Sequence, residues 1–192
     1  MDNLFLPNDF HDINRALQYF ENSYTVPTKW YTDILTKYAK QCETVVEFGV
    51  WNGQSALVFA NAGVKEIISC DIDFSRCNAD RIQFLCKSVG SQINFRIEDS
   101  QKGKTNLTAD LMFFDTCHTY KWVKKELRHR AHMAKKYFIV HDTNYPPDDR
   151  LPKPGAPKVR DAVKEYIKGK SDIWELVEEN KTLSGIMVVK RK

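Results

Sequence analysis

The stretch TVVEFGVWNGQSALVFANAG, residues 44–63, decides the fold of this chain. An apolar run leads into an acidic residue and two glycines, and a helix-like pattern follows. This order of strand, tight turn and helix start is the layout of a nucleotide-binding unit. The spacing is Glu47-x-Gly49-x-x-x-Gly53, however, and the dinucleotide pattern G-x-G-x-x-G is absent. Trp51 stands where a glycine would let the backbone approach a pyrophosphate, so the turn predicts a ligand that does not need this close approach.

Length and composition indicate one globular domain with at most a short extension. The chain has 192 residues, of which 42% are hydrophobic, and a formal net charge of +4, which argues little for a nucleic-acid partner. Its five cysteines contain no C-x-x-C pair, so we expect reduced thiols rather than zinc or a disulfide framework. No apolar run approaches the roughly 18 residues of a membrane span, and the N-terminus has no signal-peptide pattern. These features predict a cytoplasmic protein without a membrane partner.

The alternation of short apolar runs and amphipathic segments predicts an α/β fold. Residues 1–40 show helical periodicity and form a predicted N-terminal helical extension; residues 41–192 form the main domain. We expect a doubly wound, Rossmann-like seven-stranded sheet, mostly parallel, with the last strand antiparallel and helices on both faces. The first five predicted strands are 44–48, 66–70, 93–97, 111–114 and 137–140, and the helices between them are 53–61, 75–89 and 119–134.

The C-terminal part of the sequence predicts a helix followed by an edge hairpin. The helix is expected over 158–167, and the hairpin strands over 173–177 and 185–189. Because the segment between these two strands is short, they should pair antiparallel at the edge of the sheet. Residues 145–158 contain five of the seven prolines and predict a long loop.

Each of the five parallel strands ends at or near a carboxylate. Ligands of open α/β sheets bind outside the carboxyl ends of the strands. Any one of these acids could be an ordinary surface residue, but all five together indicate a ligand site. The polar residues at the strand ends are Glu47, Asp71, Asp73, Asp99, Ser100, Asp115, His118, Tyr120, His141, Asp142 and Asn144.

Three segments carry a resemblance to a known superfamily: EFGVWNGQSA, DTCHTYKWVKKEL and VHDT. Over roughly residues 40–192 the chain resembles the class I S-adenosylmethionine-dependent methyltransferases. Within that superfamily the three segments, in this order, resemble the macrocin and rhamnosyl O-methyltransferase group and its relatives named after cephalosporin hydroxylase. The resemblance implies O-methylation of a sugar or another small hydroxylated acceptor, with Mg²⁺ as a cofactor in several relatives.

S-adenosylmethionine has no phosphates, so a turn that binds it can tolerate Trp51. By the resemblance, Glu47 would face the ammonium group and the two glycines the methionine end. Asp71 would accept from both ribose hydroxyls, with Asp73 as the alternative. The cofactor residues implied in this way are Glu47, Gly49, Trp51, Gly53, Asp71, Asp99 and Ser100, the last two at the adenine edge.

Asp115 and Asp142 follow neighbouring predicted strands and are expected to converge on a metal ion, with Asn144 as a further ligand. Mg²⁺ prefers such oxygen ligands. Related metal-dependent enzymes often have two adjacent acids where this chain has His141-Asp142, so Mn²⁺ stays open as an alternative. The predicted catalytic residues are Asp115 with His118 or His141, either of which could carry the acceptor proton. Both histidines also have a purely structural interpretation, in which they orient or cap a loop.

Two other functions compete with a small-molecule O-methyltransferase. One is N-methylation of a nucleic acid or protein; the other is a non-catalytic S-adenosylmethionine-binding subunit. In the favoured hypothesis, the N-terminal helices cover the cofactor or shape the acceptor pocket. The oligomeric state stays open, with a homodimer as one option.

Overall fold

The fold is described by a computed structural model that covers residues 5–25, 27–102, 107–144 and 158–192. The predicted proline-rich loop, 145–158, lies outside these ranges except for its last residue. Contacts along the chain divide it into two compact units, residues 1–98 and 99–192. The predicted boundary between an N-terminal extension, residues 1–40, and a main domain, residues 41–192, stays a prediction.

Seven strands form one sheet in the order β3-β2-β1-β4-β5-β7-β6. The strands are β1 (Thr44–Phe48), β2 (Glu66–Asp71), β3 (Gln92–Ile97), β4 (Ala109–Phe114), β5 (Ala134–His141), β6 (Trp174–Asn180) and β7 (Ile186–Arg191). The helices around it are α1 (Ile13–Ser23), α2 (Lys29–Ala39), α3 (Gln54–Asn61), α4 (Ala79–Ser88), α5 (Tyr120–Arg130) and α6 (Val159–Lys168). This confirms the predicted fold class.

The first unit is a parallel three-stranded arrangement with four helices. β1 pairs with β2, and β2 pairs with β3, all in parallel. Four of the five residues of β1 are buried, as expected for a strand covered on both faces. α3 is buried along almost its whole length, which fits the apolar sequence that follows the turn. The turn between β1 and α3 is therefore held by a tightly packed strand and helix.

The second unit contains β4 to β7 with α5 and α6. β4 and β5 are parallel, whereas β7 pairs antiparallel with both β5 and β6. The predicted hairpin and its reversed last strand are thus confirmed, with β6 at the end of the strand order. β5 contributes four consecutive buried residues, from Tyr137 to Val140. This buried strand fixes the position of His141 at its end.

Two predicted helix boundaries are wrong, and both errors have local causes. α4 begins at Ala79 rather than at residue 75, because the Asn78 side chain caps it by accepting from the Arg81 backbone N–H. α5 ends at Arg130 rather than at residue 134, since a short 3₁₀ turn follows it and β5 begins at Ala134. The basic run over residues 124–136 looks continuously helical in sequence, but its last three residues, 134–136, belong to β5.

None of the helices in the described part of the chain is long and apolar enough to cross a membrane.

Candidate active site

The turn after β1 has an unusual backbone in which every second residue is left-handed. Gly49, Trp51 and Gly53 have φ values of 87°, 47° and 84°. Glycine adopts this region at little cost, whereas for tryptophan it is uncommon and strained. Strained backbone of this kind is concentrated at functional sites. The two glycines of the motif are therefore required by the backbone itself, and Trp51 is held there against its own preference.

Asp71 fastens this turn to the end of β2. Its Oδ2 accepts hydrogen bonds from the backbone N–H groups of Val50 (2.7 Å) and Trp51 (3.3 Å). Its Oδ1 accepts from the N–H groups of Ile72 (2.7 Å) and Asp73 (3.2 Å). A carboxylate offers roughly four lone-pair positions, so these four bonds use its ordinary capacity, and a bound ribose would have to replace some of these backbone donors. Asp71 thus shapes the turn, and its predicted bonds to a ribose stay a prediction.

Asp73, the alternative ribose partner, is an exposed residue with different contacts. Its carboxylate accepts from the backbone N–H and from the hydroxyl of Ser75, both at 2.8 Å. The backbone bond from Ser75, followed by the hydroxyl bond, lowers the pKa of Asp73. Its carboxylate is therefore charged at neutral pH and lies at the protein surface.

Glu47 lies inside the first unit and is fully buried. One carboxylate oxygen accepts from the Ser55 hydroxyl and the other from the Ser69 hydroxyl. Ser55 is the second residue of α3 and Ser69 belongs to β2. Glu47, on β1, therefore links β1 to both α3 and β2. Its predicted contact with an ammonium group stays a prediction.

In the second unit, the residues predicted to handle a metal ion and a proton lie together. His118 Nε2 is 2.8 Å from Asp142 Oδ2 and 3.5 Å from Asp115 Oδ1. His141 Nδ1 is 3.0 Å from Asp115 Oδ1. One ligand atom each from Asp115, His118 and Asp142 lies within 4.8 Å of the others, a spacing that could hold a metal ion. We call these three residues the Asp-His-Asp cluster.

The topology explains why these side chains meet. β4 and β5 are parallel neighbours, so Asp115 and His141 leave the same end of the sheet. His118 lies on the short segment between β4 and α5. Asp142 has a φ of 54°, which makes it one of three non-glycine residues in the described part of the chain with positive φ. The backbone thus turns sharply where Asp142 enters the cluster.

The opposite charges in the cluster stabilise one another. Burial alone would lower the pKa of His118, but its bonds to Asp115 and Asp142 outweigh burial and raise the pKa to about 10. Burial, the largest single effect, lowers the pKa of His141, but the charge of Asp115, the hydrogen bond to Asp115 and the charge of Asp142 together outweigh it, so that the net shift is upward. For Asp115, burial is outweighed by the charge of His141 and by bonds from both histidines, which lower its pKa. In the absence of other ions, the cluster therefore holds paired charges.

Asn144, the third predicted metal ligand, points toward the turn between β6 and β7. Its amide nitrogen donates to the carbonyl oxygens of Lys181 (2.5 Å) and Leu183 (3.4 Å). Its Oδ1 atom is buried and has no hydrogen-bond partner among the described residues. The role of Asn144 as a ligand stays a prediction.

The two residues predicted at the adenine edge follow β3. Asp99 accepts from the Gln101 backbone N–H (2.9 Å) and lies 3.3 Å from the Lys102 ammonium group. Ser100 is buried, and its hydroxyl donates to the carboxyl group of Glu126 on α5. Their predicted contact with adenine stays a prediction.

Sequence reasoning missed Glu126, which is fully buried. A signal was available, because Glu126 and Arg130 are four residues apart and share the apolar face of α5 with Val123 and Leu127. Charged residues at core positions of a helix are rare unless they are paired. Burial, despite bonds from Ser100 and other donors, raises the pKa of Glu126 to about 7.

Replacing Glu126 with glutamine should flatten the dependence of folding stability on pH. The folded-state pKa lies above the usual 4.5, at about 7, so the folded chain holds this proton more tightly than the unfolded chain. The stabilisation is complete below pH 4.5 and is lost as the pH rises through 7, by an amount on the order of 3 kcal/mol. Urea unfolding of both proteins between pH 4.5 and 8 measures the slope. Glu165→Gln is the control, because Glu165 is exposed and its pKa is lowered, so this slope should persist.

Solved structures of low sequence identity share the fold of this chain. An O-methyltransferase from Bacillus cereus in complex with SAH has a TM-score of 0.63 at 9% identity, over 94% of this chain and 89% of that one. SAH-bound Podospora anserina methyltransferase PaMTH1 has a TM-score of 0.57 at 12% identity, over 94% and 87%. An O-methyltransferase family protein from Burkholderia thailandensis has a TM-score of 0.64 at 11% identity, over 93% and 60%. This chain therefore has the class I methyltransferase fold.

The family follows from the sequence. The family model for rhamnosyl O-methyltransferase/CmcI matches residues 30–190, and the chain belongs to this family. It is an S-adenosylmethionine-dependent O-methyltransferase. No curated protein matches the chain at a significant level.

Proposed function

We propose that this O-methyltransferase acts on a small hydroxylated acceptor, such as a sugar, and that the Asp-His-Asp cluster prepares the acceptor hydroxyl. The cluster is the observation that carries the proposal: two carboxylates and an imidazole meet at one end of the sheet. An alcohol is a poor nucleophile until its proton is removed, so a site with these groups suits a hydroxyl acceptor. Family membership favours O-methylation over N-methylation.

S-adenosylmethionine is proposed to bind at the turn after β1, with Asp71 or Asp73 accepting from the ribose. Ile72, directly after Asp71, has 67% of its surface exposed. Such an apolar side chain beside a candidate ribose-binding acid suits one face of an adenine ring. Asp99 and Ser100 retain their predicted role at the adenine edge.

A divalent cation fits the donor set of the cluster. Asp115 and Asp142 would hold it, since carboxylate oxygens are the ligands that Mg²⁺ and Mn²⁺ share. When bound, a divalent cation would lower the pKa of an acceptor hydroxyl and offset the carboxylate charge that raises the pKa of His118. If His118 were a third ligand, its imidazole would favour Mn²⁺ over the predicted Mg²⁺.

His118 is the residue that we propose to receive the acceptor proton. Its side chain is 31% exposed and can meet an acceptor, whereas the His141 side chain is only 12% exposed. His141 faces Asp115 through Nδ1, and its Nε2 lies 3.4 Å from the Ser184 hydroxyl. His141 is therefore placed to orient Asp115. As the acceptor oxygen attacks the methyl group and the carbon–sulfur bond breaks, the hydroxyl proton would pass to His118 Nε2. This step requires an unprotonated imidazole, which a cation held by Asp115 and Asp142 would favour by lowering the pKa of His118.

The N-terminal helices are proposed to support the cofactor turn, in line with the predicted covering role of residues 1–40. The Asn52 amide donates to the Tyr24 hydroxyl at 2.6 Å. The Tyr31 hydroxyl donates to Gln54 Oε1 at 2.7 Å. These bonds connect the segment before α2, and α2 itself, to the residues on either side of Gly53.

We also propose a cytoplasmic location. All five cysteines are free: four are buried and Cys117 is exposed. Free thiols are expected where the environment keeps them reduced.

Turnover on a panel of acceptors tests the proposed function. The protein would be incubated with S-adenosylmethionine and Mg²⁺ or Mn²⁺, and release of S-adenosylhomocysteine (SAH) would be measured with simple sugars, catechols, RNA, DNA and a protein mixture. We expect release with a hydroxylated small molecule and no dependence of its binding on salt. Release only with nucleic acid, with binding that falls steeply as salt increases, would contradict the proposal.

Replacing Asp71 with alanine is expected to weaken SAH binding by about 10- to 100-fold, since the ribose bonds and the four bonds that shape the turn are lost together, roughly 1–3 kcal/mol. Isothermal titration calorimetry measures the affinity. Asp73→Ala is the matched comparison, because this exposed acid lies two residues away and its carboxylate accepts from Ser75 in its own loop. A larger loss in Asp73→Ala than in Asp71→Ala would transfer the ribose role to Asp73.

A further inference from the structure

α5 carries two fully buried charged side chains, Glu126 and Arg130, that both hold the segment after β3. The Ser100 hydroxyl donates to Glu126 Oε1, and Arg130 Nε donates to the Ser100 carbonyl oxygen at 3.1 Å. Side chains four residues apart lie on the same side of a helix, so one face of α5 binds both the hydroxyl and the backbone carbonyl of Ser100.

The same oxygen of Glu126 also reaches the segment after β4. The Thr116 hydroxyl donates to Glu126 Oε1 at 2.6 Å, and Trp122 Nε1 donates to it at 3.1 Å. Thr116 directly follows Asp115 of the Asp-His-Asp cluster. A single carboxylate oxygen thus joins the segments that follow two strands and the first turn of α5.

This arrangement is a poor solution for stability alone. Burying a carboxyl group is costly unless all of its oxygens are bonded. Glu126 Oε2 is buried and has no hydrogen-bond partner within the described ranges, while Oε1 accepts three bonds. A better core would place an apolar side chain on α5 and an apolar residue at 100. The carboxyl group instead fixes the positions of the Ser100 and Thr116 hydroxyls, and so of the segments after β3 and β4.

We infer that Glu126 is a positioning residue of the methyltransferase site, which holds Ser100 for the cofactor and holds Thr116 so that the adjacent Asp115 keeps its place. The inference rests on the proposed function, because the cofactor contact of Ser100 is part of that proposal. Glu126 acts only through its neighbours and does not itself touch the reacting groups.

The experiment separates positioning from general stability with three variants. Glu126→Ala removes the acceptor of all three bonds. Glu126→Gln keeps an acceptor oxygen at Oε1 and should retain the three hydrogen bonds. Leu127→Ala, on the adjacent position of α5, removes a fully buried apolar side chain and lowers stability without touching these bonds.

Two quantities would be measured in the full chain: the affinity for SAH by calorimetry, and the ¹⁹F resonance of Trp122 after labelling with fluorotryptophan. The chain has four tryptophans, so a Trp122→Phe sample identifies the resonance. The resonance reports directly on the bond from Trp122 to Glu126.

We expect Glu126→Ala to weaken SAH binding roughly 10- to 100-fold, the range typical when a supporting partner of a binding group is lost, and to shift the Trp122 resonance. Glu126→Gln should stay near wild type in both measurements, and Leu127→Ala should bind SAH normally at temperatures where it is folded. Wild-type affinity in Glu126→Ala, or an equal loss in Leu127→Ala, would overturn the inference. Absence of SAH binding in the wild-type protein would overturn the proposed cofactor site instead.

Discussion

Asp142→Asn is expected to weaken Mn²⁺ binding by about 100-fold or more, because it removes one of the two charged ligands from a partly buried site. The substitution changes the charge of the side chain and very little else. Asp142 has a φ of 54°, and asparagine is among the few residues that tolerate this left-handed conformation. Alanine at the same position would confuse the loss of a ligand with strain in the backbone. Calorimetry or electron paramagnetic resonance with Mn²⁺ measures the affinity.

The control for this prediction is Asp110→Asn. Asp110 lies on β4, the strand that Asp115 follows. Its carboxylate pairs with the Lys136 ammonium group at 3.4 Å. It lies five residues before Asp115, at the opposite end of the strand. Asp110→Asn should leave the Mn²⁺ affinity unchanged, and Asp115→Asn should reduce it as Asp142→Asn does. Tight binding that persists in both cluster variants would show that the metal is held elsewhere, and absence of binding to the wild-type protein would show that the cluster holds no metal.

His118→Ala distinguishes the two roles of the imidazole in the same titration. If His118 handles the proton, its removal should leave Mn²⁺ affinity within a few fold of wild type and reduce turnover. If His118 is a third ligand, Mn²⁺ affinity should fall almost as far as in Asp142→Asn. The second outcome would also explain a preference for Mn²⁺ over Mg²⁺.

The parts of this site that could be predicted from sequence are those set by the chain direction. Asp115 and Asp142 were expected to converge because they follow parallel neighbouring strands at the same end, and in the structure a carboxylate oxygen of each lies within 4.8 Å of the other, while the metal ion itself stays a prediction. The spacing of Gly49 and Gly53 predicted a tight turn after β1, and their positive φ values explain why glycine is favoured at both positions. In these cases a local sequence pattern and the direction of a strand are sufficient to predict where the residues lie.

The hydrogen-bond partners of the buried and half-buried acids could not be predicted from sequence. Glu47 and Asp71 were both assigned to the cofactor. In the structure, the oxygens of Glu47 face two serines, and those of Asp71 face four backbone N–H groups. Such partners are distant in sequence or depend on the conformation of a turn, so spacing does not reveal them. The burial of Glu126 was indicated by its place on the apolar face of α5, but its partners, Ser100 and Thr116, could not be predicted because they follow other strands.

Gly53→Ala should be among the most destabilising single substitutions of the turn, because two separate costs act at one position. The residue has a φ of 84°, and the left-handed conformation costs an L-residue about 1–2 kcal/mol. A Cβ atom at residue 53 would also lie 2.1 Å from Ile82 Cδ1, a fully buried side chain on α4. Overpacking of this kind costs about 1–3 kcal/mol, so we expect the free energy of unfolding to fall by roughly 2–5 kcal/mol.

Two further variants separate these costs. Gly63→Ala places an alanine at a φ of 93° with no atom within 4 Å of the new Cβ, so it should show the conformational cost alone. Ile82→Val removes the methyl group that a Cβ atom at residue 53 would strike. The double variant Gly53→Ala/Ile82→Val should therefore be more stable than the sum of the two single effects predicts, by about 0.5–3 kcal/mol. Urea unfolding measures all four proteins. Strict additivity, or equal losses in Gly53→Ala and Gly63→Ala, would mean that the helices adjust to the new methyl group and that only backbone conformation demands glycine at residue 53.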